Sequence, residues 1–229
     1  MRAWIAMAAL ALLAACATSQ PKTFTGTFSP PPAGSRIVVV TPDVQLGVLT
    51  AAGLQEPRED WSRSARDGLA TAIAAQIARE GHTTSALDPA TAMEGRIGQI
   101  IRLHDAVGTS ILAVNYGGAE LPTRRRNFEW TLGEGVQELA AAHNADYALF
   151  VTARGSYASS GRVAAMVGLA VLTRSVISLG GQQAFASLVD LRTGNVIWFN
   201  VAQASPNQDM RDPGGAASFT TTLLRGAPL

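Results

Sequence analysis

The sequence predicts an α/β fold: a single three-layer domain with a mixed β-sheet flanked by helices, preceded by an export signal and a flexible tether. Three observations predict it. The runs Arg36-Ile37-Val38-Val39-Val40-Thr41 and Tyr147-Ala148-Leu149-Phe150-Val151-Thr152 are short, rich in β-branched and aromatic residues, and continuous in the way of strands buried on both faces. Between them, Trp61, Ala65, Leu69, Ile73 and Ile77 recur every fourth residue, the spacing of one helix face. Late in the chain, residues 184–190 and 196–201 alternate like strands and are joined by Arg192-Thr193-Gly194-Asn195, a hairpin turn with glycine where positive φ is needed. Strands alternating with helices early and a hairpin late favour one domain with a mixed sheet.

Residues 1–15 are apolar apart from Arg2, which supplies a positive charge ahead of an apolar run. That run is too short for the roughly 20 residues of a membrane-spanning helix, so it reads as a signal peptide removed in the mature protein. Residues 17–35 are rich in Thr, Ser, Pro and Gly, and the triplet Pro30-Pro31-Pro32 makes a stiff extended piece, so residues 16–35 read as a tether and 36–229 as the folded domain. Within the domain, residues 44–50 are a short strand or extended loop. Asp60 is placed to cap the first helix, and Gly81 lies just past its end. Residues 82–87 are extended, and Asp88-Pro89 opens a second helix carrying Ile97, Ile100, Ile101, His104 and Ile111 until Gly117-Gly118. A third helix covers about residues 132–143 with Asn144 as its cap, and Asp212-Pro213 opens the last helix, bearing Phe219, Leu223 and Leu224.

Composition narrows the function classes. The 229 residues are 47% hydrophobic and 15% charged, with seventeen arginines, one lysine and one cysteine. Removal of residues 1–15 leaves 214 residues of zero formal charge, which argues against nucleic acid as a partner. A single cysteine excludes an internal disulfide and a four-thiolate metal site. That cysteine ends the motif Leu13-Ala14-Ala15-Cys16, which resembles the lipobox of bacterial lipoproteins. The resemblance implies that the Cys16 thiol receives lipid and becomes the first residue of the mature chain. Ala17 follows, where an Asp commonly retains such proteins in the inner membrane, so the implied destination is the outer membrane, facing the periplasm. Several acyl chains at one site anchor stably where one chain binds only marginally.

The order of strand, long helix, the strand Ala145-Asp146-Tyr147-Ala148-Leu149-Phe150-Val151, and then Val189-Asp190-Leu191-Arg192-Thr193-Gly194-Asn195-Val196-Ile197-Trp198 resembles lipoproteins related to the curli-secretion channel subunit and the amino-terminal domain of TolB. The resemblance implies an α/β envelope domain that acts by binding and assembly and brings no catalytic residues. The chain departs from the channel subunits, which insert two hairpins per protomer, because it has at most one candidate segment.

The residues point to no reaction. His82, His104 and His143 are widely separated and form no metal-binding spacing, so neither a metal nor a cofactor is expected. Ser156, Ser159 and Ser160 lack the glycines of a nucleophile elbow and read as loop residues. Glu56, Glu59 and Asp60 suit a solvated helix start better than an acid/base pair. Arg124, Arg125 and Arg126, followed by Phe128 and Trp130, form the sharpest charge cluster, either a solvated loop or a grip for a phosphate or carboxylate on an envelope partner. The apolar segment between Arg162 and Arg174, including Val163, Met166, Val167, Leu169, Val171 and Leu172, is expected to be buried against the sheet or in an oligomer contact, with a membrane-touching role as the competing reading. The leading expectation is a non-enzymatic, lipid-anchored envelope protein that binds an envelope protein partner. A self-assembling or accessory secretion subunit and a hydrolase of envelope polymers are the alternatives.

Overall fold

The computed structural model describes residues 20–92, 94–122, 127–173 and 180–229, with the backbone alone for 167–173. The strands are β1 (Lys22–Thr23), β2 (Arg36–Val40), β3 (Asp43–Leu49), β4 (Gln55–Pro57), β5 (Thr83–Leu87), β6 (Tyr147–Ala158), β7 (Gly180–Asp190) and β8 (Val196–Gln203). The helices are α1 (Glu59–Arg79), α2 (Arg96–Ile111), α3 (Gln137–His143), α4 (Ser160–Thr173) and α5 (Pro213–Leu223). All eight strands join one mixed sheet in the order β1-β8-β7-β6-β2-β5, with β3 on the far half of β6 and β4 outside it. The α/β fold class is as the sequence predicts.

Alternation along β2 explains its continuous apolar run. Ile37 and Val39 face a core with Leu69 and Ile73 of α1 and Phe219 of α5, whereas Val38 and Val40 face a second core with Ile100 and Ile111 of α2 and Leu139 of α3. Helices therefore cover both faces of the central strands and give three layers. Strand β6 is parallel to β2 through Tyr147–Leu149 and then to β3 from Thr152 to Ala158. Pro42 separates the two partners, since it has no N–H for a ladder bond.

Several local expectations are corrected. Asp60 does not cap α1; Arg58 occupies that position without a side-chain cap, and its guanidinium holds the Asp60 carboxylate at 2.6 and 2.9 Å. Asp88 caps a single 3-10 turn, Pro89–Thr91, by accepting from the Ala90 N–H at 2.9 Å, and α2 starts only at Arg96, after Gly95 at φ 108°. Glycine interrupts the apolar periodicity there because the chain turns through a conformation that side chains disfavour. The third helix is a 3-10 turn, Glu134–Val136, leading into α3, and Asn144 closes it in the left-handed conformation at φ 48°. Asp212 caps α5 as expected, accepting from Gly215 N at 3.0 Å.

Part of the segment read as tether belongs to the sheet. Lys22 and Thr23 pair antiparallel with Phe199 and Trp198, and Phe24 N donates to Ile197 O at 3.0 Å. Strand β8 would otherwise present unpaired N–H and C=O groups along this part of its edge, and β1 covers them at Trp198 and Phe199. Tyr116 Oη donates to Gln20 O at 2.6 Å, which holds the chain just before β1.

Candidate binding surface on the open end of the sheet

Strands β3, β6, β7 and β8 run past the helices of one layer. Val44, Leu46, Ala153, Ala184 and Ala202 remain buried under α1 and α5, while Gln45, Gln183 and Gln203, their neighbours in sequence, are exposed. Burial that alternates with period two marks a sheet covered on one side only. The pairing register sets Gln45 opposite Arg154, Arg154 opposite Gln183, and Gln183 opposite Gln203. Four polar side chains from four strands thus form one row about 15 Å long, at the usual interstrand spacing of about 4.8 Å.

The row borders a cleft of about 600 Å³ lined by Gln55, Arg154, Ser156, Gln183 and Gln203 around Gly155, Gly180 and Gly181. Gly180 is required to be glycine: its φ is 105°, and a Cβ would lie 2.3 Å from Ser156 O. Arg154 Nη1 donates to Asp43 O at 2.8 Å and Nη2 donates to the Asp43 carboxylate, so the single charge of the row is compensated. The side-chain amides of Gln45, Gln183 and Gln203 make no hydrogen bond to described residues, and each offers two donors and an acceptor. Such a surface suits hydroxyl and amide groups of a ligand better than a phosphate.

The opposite side of this end is held rigid. Tyr157 Oη donates to Asp209 Oδ1 at 2.5 Å, and Arg211 grips the same carboxylate at 2.6 to 3.1 Å while its guanidinium lies 3.5 Å from the Tyr157 ring centre and 4.5 Å from that of Trp61. Arg58 stacks on the other rim of Trp61 at 4.4 Å. The Arg211 guanidinium, aided by the Tyr157 hydroxyl, pulls the Asp209 carboxyl down to about 2, and burial together with the Asp209 bond pushes the Tyr157 phenol up. Charge-assisted bonds and cation–π stacking therefore tie the end of β6 to α1 and to the loop before α5.

The structure also places the residues considered for chemistry. Nε2 of His104 lies 2.6 Å from Ser187 Oγ, and the ring stacks on Phe150 at 3.9 Å. This resembles a nucleophile and base, but His104 is 2% exposed and Ser187 0%, and both are enclosed between α2 and the sheet. The pair reads as a buried core contact, with His104 at the edge of the cleft lined by Asp88, Arg102, Asp105 and Thr152. Nδ1 of His104 is 3.6 Å from Asp105 Oδ1, too far for a hydrogen bond despite the favourable charge, and has no partner among the described residues. Burial outweighs Asp105 and lowers the His104 pKa below the usual 6.5.

This yields a pH prediction. With the folded pKa below the unfolded one, His104 stabilises fully above about pH 6.5, and that contribution is lost as pH falls toward the folded pKa, by at most about 1.4 kcal/mol per pH unit. Urea unfolding of the protein and of His104→Leu from pH 7.5 to 5 should show the stability gap between them narrowing below pH 6.5. A gap that stays constant would mean that His104 is not held neutral by the fold.

Ser156 lies within β6 and Ser160 is the first residue of α4, so neither is a loop residue; Ser159 lies in the connection between them, where its Oγ accepts from Arg162 N at 3.1 Å, and none of the three meets a histidine among the described residues. Glu59 pairs weakly with Arg63 and Arg66 at 4.0 and 3.9 Å and Asp60 with Arg58, leaving no converging acid/base pair. Among the described residues no group of three or more His, Cys, Asp or Glu is placed to hold a metal ion. Cys16, Arg124, Arg125 and Arg126 lie outside the described residues. The apolar segment forms most of α4; Val163 is 38% exposed and Met166 half-buried, so burial against the sheet does not hold for Val163. The side chains of Val167, Leu169, Val171 and Leu172 are outside the described set. No described helix is long and apolar enough to cross a membrane.

The polar row escaped the sequence reading. Its members are separated by up to 158 residues, and the one local signal was period-two alternation in Asp43-Val44-Gln45-Leu46.

No protein-family model matches the chain, and no curated protein matches it. Among solved structures, a PelC dodecamer from Paraburkholderia phytofirmans is similar with 14% identity and a TM-score of 0.40, over 93% of this chain and 98% of that one. Lipoprotein GNA1162 from Neisseria meningitidis is similar at 17% identity and TM-score 0.34, over 76% of this chain and 82% of that one. The LpoB C-terminal domain from Salmonella enterica follows at 14% and 0.29, over 79% and 86%. At these scores the likenesses carry no inference about partner, assembly or activity. They do not confirm the resemblance to the curli-secretion and TolB-like proteins.

Proposed function

We propose that the protein is a non-enzymatic, lipid-anchored component of the cell envelope, facing the periplasm from the outer membrane, whose domain binds another envelope component on the open face of the sheet. The observation that carries the binding role is the row Gln45, Arg154, Gln183 and Gln203, in register across four strands and uncovered by any described helix. A sheet face normally buried in this architecture is here polar, near neutral and rich in hydrogen-bonding groups. The lipobox-like Leu13-Ala14-Ala15-Cys16 supports the anchor. The enclosure of His104 and Ser187 favours binding over hydrolysis.

In-cell photocrosslinking tests this reading. A photoreactive residue at position 183 or 203 should give discrete adducts, and one at the exposed α1 position Asp67 should not. Gln45→Ala combined with Gln183→Ala should abolish the position-203 adducts while changing stability by no more than about 0.5 kcal/mol per site, as exposed substitutions away from hydrogen-bond networks do. Adducts equally frequent at position 67, or unchanged in the double variant, would overturn the assignment of this face.

A further inference from the structure

We propose that the end of the sheet bearing α4 faces the lipid bilayer and that α4 lies in the headgroup region, so that the domain stands on its membrane rather than hanging free from its anchor. The proposal rests on acylation of Cys16. Its first observation is the direction in which the chain leaves the domain. Strand β1 is antiparallel to β8, with Lys22 opposite Phe199, so continuing that register upstream puts Gln20 level with Val201 and heading toward Gln203. Gln203 pairs with Gln183, and β7 begins at Gly180 beside Tyr157, where β6 gives way to α4. The anchored terminus and α4 thus leave the sheet at the same end.

The second observation is length. Four residue steps separate Gln20 from Cys16, a reach of at most about 14 Å. Val201 is level with Phe185 and Phe185 with Thr152, and β6 continues six residues further to Ala158, about 20 Å at 3.3 Å per residue. When the long axis of β6 points at the membrane, the sheet end reaches at least as far as the acylated residue can. The α4 helix is then placed at the depth where the acyl chains enter.

The third observation is the chemistry of α4. Its sequence from Ser160 to Thr173 contains no acidic residue and a single charge, Arg162, whose Nη1 turns back to Thr50 O at 3.4 Å. Val163 is exposed in its first turn. At 14 residues, about 21 Å, the helix is too short to cross a hydrocarbon core of about 30 Å, which leaves the interfacial position. A lipid surface is the occupant favoured here over a second copy of the chain, because the anchor already brings lipid to this end.

Depth-dependent quenching tests the proposal. In the acylated protein the native cysteine is consumed, so Val163→Cys on α4 and Ala142→Cys on α3 each provide one thiol for an environment-sensitive fluorophore. After reconstitution into phosphatidylethanolamine/phosphatidylglycerol vesicles, the label at 163 should shift to the blue and be quenched several-fold more than that at 142 by doxyl groups on the acyl chains. Equal quenching at both sites, or none at 163, would overturn it. So would protection at 163 that disappears on dilution and is indifferent to lipid quenchers, since that marks a second copy. A Cys16→Ser chain, held to vesicles by an N-terminal His tag on a nickel-chelating lipid, keeps the test independent of acylation. Quenching at 163 there, together with mass spectrometry showing that Cys16 of the native protein carries no acyl chain in cells, would sink the anchor reading and leave the membrane-facing end standing.

Discussion

Phe199→Ala is expected to lower folding stability by about 3–5 kcal/mol and to release the amino-terminal strand. Phe199 is fully buried at the centre of an aromatic cluster, stacked on Phe185 at 5.3 Å and tilted against Tyr116 and Phe128 at 5.9 and 6.5 Å. Truncating a buried Phe costs the transfer energy of the ring and the cavity left behind, because neighbours on three different segments cannot all collapse into it. The loss reaches further than the core. Tyr116, packed on this ring, holds Gln20, and the backbone of Phe199 pairs with Lys22. Denaturant unfolding should show the destabilisation, and limited proteolysis should show faster cleavage within residues 20–35. A cost below about 1 kcal/mol, or unchanged cleavage, would mean that β1 is held independently of this cluster.

Cys16→Ser is expected to abolish incorporation of labelled fatty acid. The expected loss is complete because no second cysteine exists to accept the lipid. Each buried methylene of an acyl chain contributes about 0.8 kcal/mol of membrane affinity, so losing several chains moves the mature protein from firmly membrane-bound to dependent on whatever the domain supplies itself. Fatty-acid labelling followed by membrane fractionation checks this; label retained by the serine variant would refute the acylation site. When the variant is secreted behind an ordinary signal peptide, α4 alone should support only weak, salt-insensitive association, since a short apolar helix with one charge buries little area.

Most of the secondary structure was legible because its signals are local. Helix α1 shows four-residue periodicity, and β2 and β6 are β-branched or aromatic runs that only a doubly covered strand tolerates. Capping was less legible. Asp60 has the chemistry of a cap but lies inside the first turn, where Arg58 takes its carboxylate. Strand β1 was invisible, since two residues in a Thr- and Pro-rich segment carry no pattern; an unfilled edge on β8 makes them a strand. Apolar content alone pointed to burial of the α4 segment against the sheet or in an oligomer contact, but Val163, in the first turn of α4, is left in the open.

By itself, the sequence determined the α/β class and singled out Cys16 as the expected attachment point, because periodicity and a contiguous motif are properties of neighbouring residues. Tertiary structure alone decided which groups face one another. Gln45, Arg154, Gln183 and Gln203 become one surface only through the register of four strands, and the chain entering β1 and α4 share an end only because β1 runs antiparallel to β8. Strand register is a long-range pairing outcome, set by how both layers of helices bury the apolar faces, and no local stretch of the chain encodes it.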